Sequence, residues 1–192
     1  MTPVLSIDPG VSGGAALLDD RGSLLRLWAW RERKPCKRRP RSLWEVSSSA
    51  DAAYSFALSL HGVGELIRGE SLLVLYDGGF DSCGEGSYLL SVEYLFTGKG
   101  LRSSLVTAEA AGLLYGPLLA CSSGLVRPHP SHWRSVVLGR KRWTSATADA
   151  ACKAFVAAKW PGVAGELAES AHACEAAAMG WCVWQEQQRE VE

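Results

Sequence analysis

Two carboxylates each follow a short run of apolar residues. Asp8 follows VLSI at residues 4–7, and Asp77 follows LLVLY at residues 72–76. Uncharged runs rich in Val, Ile and Leu predict buried strands, which the glycines and proline that come next would end. An unpaired carboxylate is costly to bury, so both side chains need a partner. For Asp8 alone, a turn closed by its own side chain and a metal site explain the position equally well.

His172 and Glu175 lie three residues apart in an Ala-rich segment, HACEAAAMG. The segment belongs to a helix predicted over residues 165–187, where residues three apart share a face. A surface charge pair, worth roughly a few tenths of a kcal/mol, is the simplest explanation of that spacing. If the strands before Asp8 and Asp77 are neighbours, however, their ends lie about 5 Å apart. A helix that crosses them would then bring His172 and Glu175 to the same point.

A cluster of three carboxylates and an imidazole points to divalent-metal chemistry. Carboxylates packed together repel one another, and a cation relieves the repulsion; oxygen-rich ligand sets select Mg²⁺ or Mn²⁺. Two such ions about 3.5–4 Å apart can activate water and stabilise the leaving oxygen in phosphodiester hydrolysis. In this arrangement Asp8 bridges the ions, Asp77 holds one of them, and Glu175 completes the shell. His172 either joins the ligands or handles a proton, since imidazole titrates near neutrality.

A mixture of strands and helices is predicted along the chain, and these elements would position the cluster. The first 30 residues predict an antiparallel meander of three strands, with Asp19-Asp20-Arg21-Gly22 as the turn between the second and third. Short strands follow at 72–76 and 125–127. The segments predicted as helices are residues 51–68, 87–96, 101–120, 146–160 and 165–187.

The composition is typical of a cytosolic globular protein. The 192 residues are 47% hydrophobic and have a formal net charge of zero, which fits one packed α/β domain over residues 1–192. No secretory signal or membrane-spanning run is expected. The six cysteines form no CxxC pair, so we expect buried reduced thiols rather than a zinc site. His129 and His132 stand beside prolines and are expected to be exposed rather than to bind a metal.

Charge is concentrated in a basic loop predicted over residues 31–49. Its first part, RERKPCKRRPR at 31–41, has seven basic residues and a single acidic one. Tryptophans flank this run, and the combination suits contact with nucleic-acid phosphates, although a solvated surface loop is the simpler explanation. A second basic patch, GRKRW, lies at 139–143, and the tail at 185–192 leans acidic.

Several motifs, in order, resemble the RuvC-type Holliday-junction resolvases of the ribonuclease H-like superfamily. The similar segments are LSIDPGVSGGAALLD, LLVLYDGGF, RSSLVTAEAAGLLYGPLLA, LVRPHPSHWRSVVLG and HACEAAAMG, and they span nearly the whole chain. In the second, the family has an acidic residue, usually Glu, at the end of a strand and an aromatic residue three positions later, here Asp77 and Phe80. The fourth carries a basic residue on a loop, here Arg134. The last is the closing acidic motif, in which His and Glu are variants known from phage-like members.

This resemblance implies a ribonuclease H-like α/β fold, with a mixed five-stranded sheet of three antiparallel and then two parallel strands, flanked by helices. It implies a two-fold homodimer, in bacterial or phage-infected cytoplasm, that cuts four-way DNA junctions. Two Mg²⁺ or Mn²⁺ ions per site would be held by Asp8, Asp77, His172 and Glu175. Phe80 and Tyr88 would wedge between bases at the open junction. The expected phosphate contacts are Arg31, Arg33, Lys34, Lys37, Arg38, Arg39, Arg41, Arg134, Arg140, Lys141 and Arg142.

Three other functions fit parts of the sequence. A sugar-kinase or actin-like ATPase also begins with a strand, an Asp and a glycine turn, but it needs two such lobes, for which 192 residues are too few. A nuclease for flaps or forks would use the same chemistry. An inactive junction-binding protein would tolerate Asp77 and His172, which depart from the family's usual Glu and Asp. In addition, the family's lysine at the start of the penultimate helix is replaced here by Ala148 or Asp149.

Overall fold

The structure is a computed structural model with six strands and three helices in the part of the chain that it describes. The described residues are 1–9, 13–32, 72–76, 88–94, 112, 118–119, 122–163 and 168–191. The strands are β1 (Val4–Asp8), β2 (Gly13–Leu18), β3 (Leu24–Glu32), β4 (Leu72–Tyr76), β5 (Tyr88–Val92) and β6 (Ser122–Val126). The helices are α1 (Pro130–Val137), α2 (Ser145–Lys159) and α3 (Ala171–Val191).

The six strands form one mixed sheet in the order β4-β3-β2-β1-β5-β6. Neighbours from β4 to β1 are antiparallel, whereas β1, β5 and β6 run parallel. The predicted α/β fold, a mixed sheet flanked by helices, is therefore confirmed. The described sheet has six strands rather than the predicted five, and β4, predicted as one of two parallel strands, pairs antiparallel with β3. The strand beyond the five predicted is β5.

The strand β5 corrects the helix predicted over residues 87–96. It lies between β1 and β6, and its Leu90 and Val92 are fully buried. A strand inside a parallel sheet is covered on both faces and has a continuous apolar sequence. Periodicity cannot distinguish such a run from a short buried helix, which explains the error.

The predicted turn between β2 and β3 is confirmed in detail. Asp19 Oδ1 accepts hydrogen bonds from the backbone N–H groups of Arg21 and Ser23, at 2.9 and 2.7 Å. Gly22 has φ of 78°, a left-handed conformation that glycine adopts without strain. The turn sets the register in which β2 pairs with β3.

Helix α3 packs across β1 and β2 at very short range. A Cβ atom at Gly14 would lie 2.4 Å from the backbone nitrogen of Ala173, and one at Gly180 would lie 2.9 Å from Ser6 Cβ. The fully buried Ala176 and Ala177 continue this contact surface. The absent and small side chains therefore let the start of α3 reach the end of β1. The helix continues to Val191, so most of the acidic tail at 185–192 is helical.

Helix α1 replaces part of the loop expected around Arg134. His129 is its N-cap, and its Nδ1 accepts from the Ser131 N–H at 3.3 Å. Pro130 begins the helix, where its fixed φ is favourable and its missing N–H costs nothing. Helix α2 starts one residue before the predicted boundary, with a reciprocal capping box between Thr144 and Thr147.

Several predictions concern residues outside the described part of the chain. They include the helix at 51–68, most of the helix at 101–120, and the basic loop beyond Glu32. Arg31 and Glu32, the first two residues of the predicted loop, are the last two residues of β3. The single-domain organisation stays a prediction. No described helix is long and apolar enough to cross a membrane.

Candidate active site

On the parallel side of β1, the neighbour of Asp8 is Glu93. Asp8 is the last residue of β1, and Glu93 directly follows β5, the parallel strand beside it. The Glu93 N–H donates to the Ile7 carbonyl at 3.1 Å, which extends the ladder to the point where both strands end. Parallel strands end at the same edge of a sheet, and neighbouring strands are about 5 Å apart. The two carboxylates therefore meet at this edge.

The premise that brought Asp77 to the cluster is wrong. Strand β4 pairs with β3, so β3 and β2 separate it from β1. Three inter-strand spacings amount to about 14 Å. Asp77 itself lies outside the described residues, as does Phe80.

Helix α3 brings His172 and Glu175 to Asp8. His172 Nδ1 lies 2.6 Å from Asp8 Oδ2, and one potential ligand atom from each of Asp8, His172 and Glu175 lies within 4.8 Å of the other two. Asp8 and Glu175 are buried, while the His172 side chain is 45% exposed. The three side chains thus form one group that is open to solvent on the histidine side.

Two consecutive residues of α1 contact the two glutamates. The Trp133 indole N–H donates to Glu93 Oε1 at 3.0 Å, and Arg134 Nη2 donates to Glu175 Oε1 at 2.7 Å. Arg134 Nη2 also lies 4.0 Å from Glu93 Oε1. Arg134, expected to contact DNA phosphate, is therefore engaged with the carboxylate cluster in this structure.

The cluster holds its protons more tightly than isolated side chains do. Burial, and then the charge of Asp8, raise the pKa of Glu175 to about 7, against the opposing charge of Arg134. Burial and Asp8 likewise raise the pKa of Glu93 to about 7. The hydrogen bond to Asp8 raises the pKa of His172. Close packing of anions in a poorly solvated place raises the pKa of both glutamates, and the same negative charge favours the protonated imidazole.

These donors fit a hard divalent cation. Three carboxylates offer oxygen, which Mg²⁺ and Mn²⁺ prefer, and the imidazole offers a nitrogen ligand beside them. Bonds of about 2.0–2.1 Å put two ligands of one ion roughly 3–4 Å apart. The ligand atoms of Asp8, His172 and Glu175 lie within 4.8 Å of one another, so they need only a small closure. Glu93 is linked to this group through Arg134 Nη2, which lies 4.0 Å from Glu93 Oε1 and donates to Glu175. A cation would also offset the effects of burial and of charge repulsion that raise the pKa of both glutamates.

Comparison with known proteins identifies the fold. No protein-family model and no curated protein sequence matches the chain. Among solved structures, Thermus thermophilus RuvC is similar with a TM-score of 0.58 and 13% identity, over 98% of this chain and 97% of that one. The chain has the RuvC fold. T. thermophilus RuvC in complex with a Holliday junction substrate gives a TM-score of 0.56 and 12% identity, over 97% and 96% of the two chains. The yeast mitochondrial Holliday junction resolvase Ydc2 gives 0.48 and 15%, over 98% and 81%.

A sequence signal for Glu93 was present in the motif expected of a RuvC fold. The pattern of an acidic residue that ends a strand, with an aromatic residue three positions later, occurs twice: Asp77 with Phe80, and Glu93 with Phe96. The second occurrence has the usual Glu. The helix predicted over residues 87–96 concealed it, because a helix has no sheet edge at which to place the carboxylate.

The remaining DNA-binding predictions fare differently from one another. Arg140, Lys141 and Arg142 are exposed between α1 and α2, with Lys141 Nζ 4.0 Å from the centre of the Trp143 ring. Tyr88 is buried in β5, and its hydroxyl donates to the Leu118 carbonyl, so the prediction that it wedges between bases is wrong. The expected DNA contacts at residues 33–41 lie outside the described part of the chain.

A second group of potential ligands lies between α1 and α3. It consists of His132, Cys182 and Glu186, with His132 Nε2 2.5 Å from Glu186 Oε1. Burial and the charge of Glu186 raise the pKa of Cys182 to about 12, so the thiol keeps its proton at neutral pH, whereas a metal needs the thiolate. The Asp8 cluster is therefore the better candidate for a metal centre.

Proposed function

We propose that the chain is a divalent-metal-dependent endonuclease that resolves four-way DNA junctions by paired phosphodiester hydrolysis. The observation that carries the proposal is the meeting of Asp8, His172 and Glu175 at one sheet edge of a RuvC fold, where Glu93 ends the strand beside Asp8. Two of the similar solved structures support the choice of substrate, since one is a RuvC bound to a Holliday junction and both are RuvC chains.

The side chains have distinct roles in this proposal. Asp8, Glu93 and Glu175, with His172, would hold two Mg²⁺ or Mn²⁺ ions per site, and such ions would supply activation of water and stabilisation of the leaving oxygen. Asp8 would be the central ligand residue, because it lies beside His172 on α3 and beside Glu93 after β5. His172 either donates a ring nitrogen or moves a proton, and its exposed edge faces solvent from which a substrate arrives.

Basic residues supply DNA affinity in the same proposal. Phosphate contacts come from the 31–41 run and from Arg140, Lys141 and Arg142, so binding weakens steeply with salt. The junction is recognised by its shape rather than by base sequence. Phe80 is retained as a candidate wedge, and Phe96, three residues after Glu93 in the sequence, is a second candidate. A two-fold homodimer presents two sites, so that matching strands are cut in pairs, in the cytoplasm of a bacterial or phage-infected cell.

An inactive junction-binding protein is the second candidate function. The 2.6 Å hydrogen bond between His172 and Asp8 favours it, because a protonated imidazole satisfies the Asp8 carboxylate without any metal. The two candidates differ in one measurable property: both bind the junction, but only the nuclease cleaves it.

Cleavage of a labelled synthetic four-way junction tests the proposal. Linear duplex and flap DNA are run beside it, each in Mg²⁺ and in Mn²⁺, with Asp8→Asn as the inactive variant. Asp20→Asn, which changes an exposed carboxylate in the β2–β3 turn, is the matched control. Paired symmetric nicks on the junction, abolished only in Asp8→Asn, are the expected result. Equal cutting of flaps would indicate a general branch nuclease, and tight binding without cutting would indicate the inactive protein.

A further inference from the structure

The indole of Trp133 is placed to act on the acidic cluster although it carries no charge. It is fully buried on α1, and its N–H points to Glu93 Oε1 at 3.0 Å. An indole has a single polar group, and it donates only. The indole therefore makes a hydrogen bond to Glu93 Oε1 and none to Glu93 Oε2.

Helix α1 is held firmly enough for this contact to have a fixed direction. His129 caps its first turn, and His132 pairs with Glu186 on α3 at 2.5 Å. Arg134, next along the chain, donates to Glu175 on α3 at 2.7 Å. Trp133 thus stands between two residues that tie α1 to the helix carrying His172 and Glu175.

Without a hydrogen-bond donor beside it, the Glu93 side chain would sample several conformations, and only some of them would direct an oxygen to a bound metal. Glu93 follows β5 and has three rotatable side-chain bonds, whose ordering costs free energy when a metal binds. A hydrogen bond to one carboxylate oxygen fixes the carboxylate plane and directs the other oxygen. The same hydrogen bond favours the ionised carboxylate against the effect of burial.

We propose that Trp133 is a positioning residue that holds Glu93 with Oε2 directed to the shared metal site. The inference rests on the proposed function, since it concerns how tightly the same carboxylate cluster binds Mg²⁺ or Mn²⁺. A role in core packing alone is the competing explanation, because Trp133 also fills space beneath α1. The two explanations differ in whether the indole N–H matters when its volume is nearly conserved.

Metal affinity measured without DNA separates the two explanations. Calorimetric titration of Mn²⁺ into the full chain gives the dissociation constant for wild type, Trp133→Phe and the matched control Trp143→Phe. Trp143 also donates its indole N–H, but to the Gly139 carbonyl at 3.1 Å, on the exposed segment between α1 and α2. We expect Trp133→Phe to weaken Mn²⁺ binding about 10- to 100-fold, as loss of a hydrogen bond to a metal ligand does, and Trp143→Phe to leave it unchanged.

A double-mutant cycle tests whether Trp133 acts through Glu93. If it does, Trp133→Phe has no further effect on Mn²⁺ affinity in a Glu93→Gln background. Undiminished Mn²⁺ affinity in Trp133→Phe, or an equal loss in both backgrounds, would overturn the inference and leave the proposed function intact. A wild-type chain that binds neither ion, or an Asp8→Asn variant that binds as well as wild type, would overturn both.

An NMR measurement covers the case in which Trp133→Phe does not fold. The indole N–H resonance of Trp133 is expected to shift when Mg²⁺ is added to the wild-type chain, whereas that of Trp143 stays in place. Glu93→Gln should abolish the Trp133 response. If the chemical shift of the Trp133 indole N–H does not change while the chain binds Mg²⁺, the result would contradict the positioning role.

Discussion

The pair Glu93→Gln and Asp77→Asn distinguishes the observed site from the one that the sequence predicts. Each change replaces a carboxylate with a neutral amide of nearly the same size. Glu93 follows the strand beside β1, whereas β4, which precedes Asp77, is three strands away. We expect Glu93→Gln to lose Mg²⁺ affinity and junction cleavage, and Asp77→Asn to retain both.

The size of each effect follows from distance. A carboxylate about 4 Å from a unit positive charge contributes about 4 kcal/mol at an effective dielectric constant near 20, which is roughly a 1,000-fold change in affinity or rate. At about 14 Å in water the same pair contributes about 0.3 kcal/mol before salt screens it. The distant carboxylate therefore changes affinity by less than about twofold.

Two assays measure the difference. Calorimetry without DNA gives Mg²⁺ affinity, and single-turnover nicking of a labelled junction gives the rate of the chemical step. Asp20→Asn again controls for the removal of one negative charge. A decrease in Asp77→Asn as large as that in Glu93→Gln would refute the reasoning, because it would require the end of β4 to lie beside Asp8 rather than beyond β3.

Three more predictions follow from the geometry. Without metal, the stability of the fold should fall as pH rises from about 4.5 to about 7, because Glu93 and Glu175, with pKa values near 7, bind more protons folded than unfolded; urea unfolding in a chelator at several pH values measures this, and a rise would contradict it. Gly14→Ala should destabilise the chain by about 1–3 kcal/mol, since its Cβ would lie 2.4 Å from α3 backbone, whereas Gly162→Ala, with open space around it, should not; urea midpoints compare them. Replacing arginines at residues 31–41 with glutamine should make the negative slope of log affinity for junction DNA against log salt shallower by about 0.9 for each phosphate that is no longer neutralised. Binding titrations over a salt series measure the slope, and an unchanged slope would place the DNA elsewhere.

Local sequence patterns predicted the β1–β3 meander and helix α2 well, because their signals are short-range. Helix α3 was predicted at the right place, but it begins at Ala171 rather than at residue 165 and extends to Val191 rather than to residue 187. The turn at Asp19 has both a capping side chain and a glycine where φ is positive. Helix α2 has a Thr cap at its start and a Pro-Gly stop after its end. His172 and Glu175 could be paired from spacing alone, since residues three apart on a helix share a face.

Strand neighbours could not be predicted in the same way. Nothing in the sequence of β4 says that it pairs with β3, because an apolar run fits any place in a sheet that is buried on both sides. The choice of the second carboxylate depends on that pairing, so the sequence favoured Asp77, whereas the strand beside β1 ends at Glu93. The contacts of Trp133 and Arg134 required, in addition, that α1 be recognised as a helix beside α3.

The hydrogen bond between Asp8 and His172 joins positions 164 residues apart in the chain. A contact of such long sequence separation closes a large loop, and its closure costs more chain entropy than that of a local contact. During synthesis, moreover, the first strands leave the ribosome well before α3 exists. The proposed metal site therefore depends on α3: a chain that lacks residues 171–191 has neither His172 nor Glu175, and we expect it to lose the metal affinity proposed for the site.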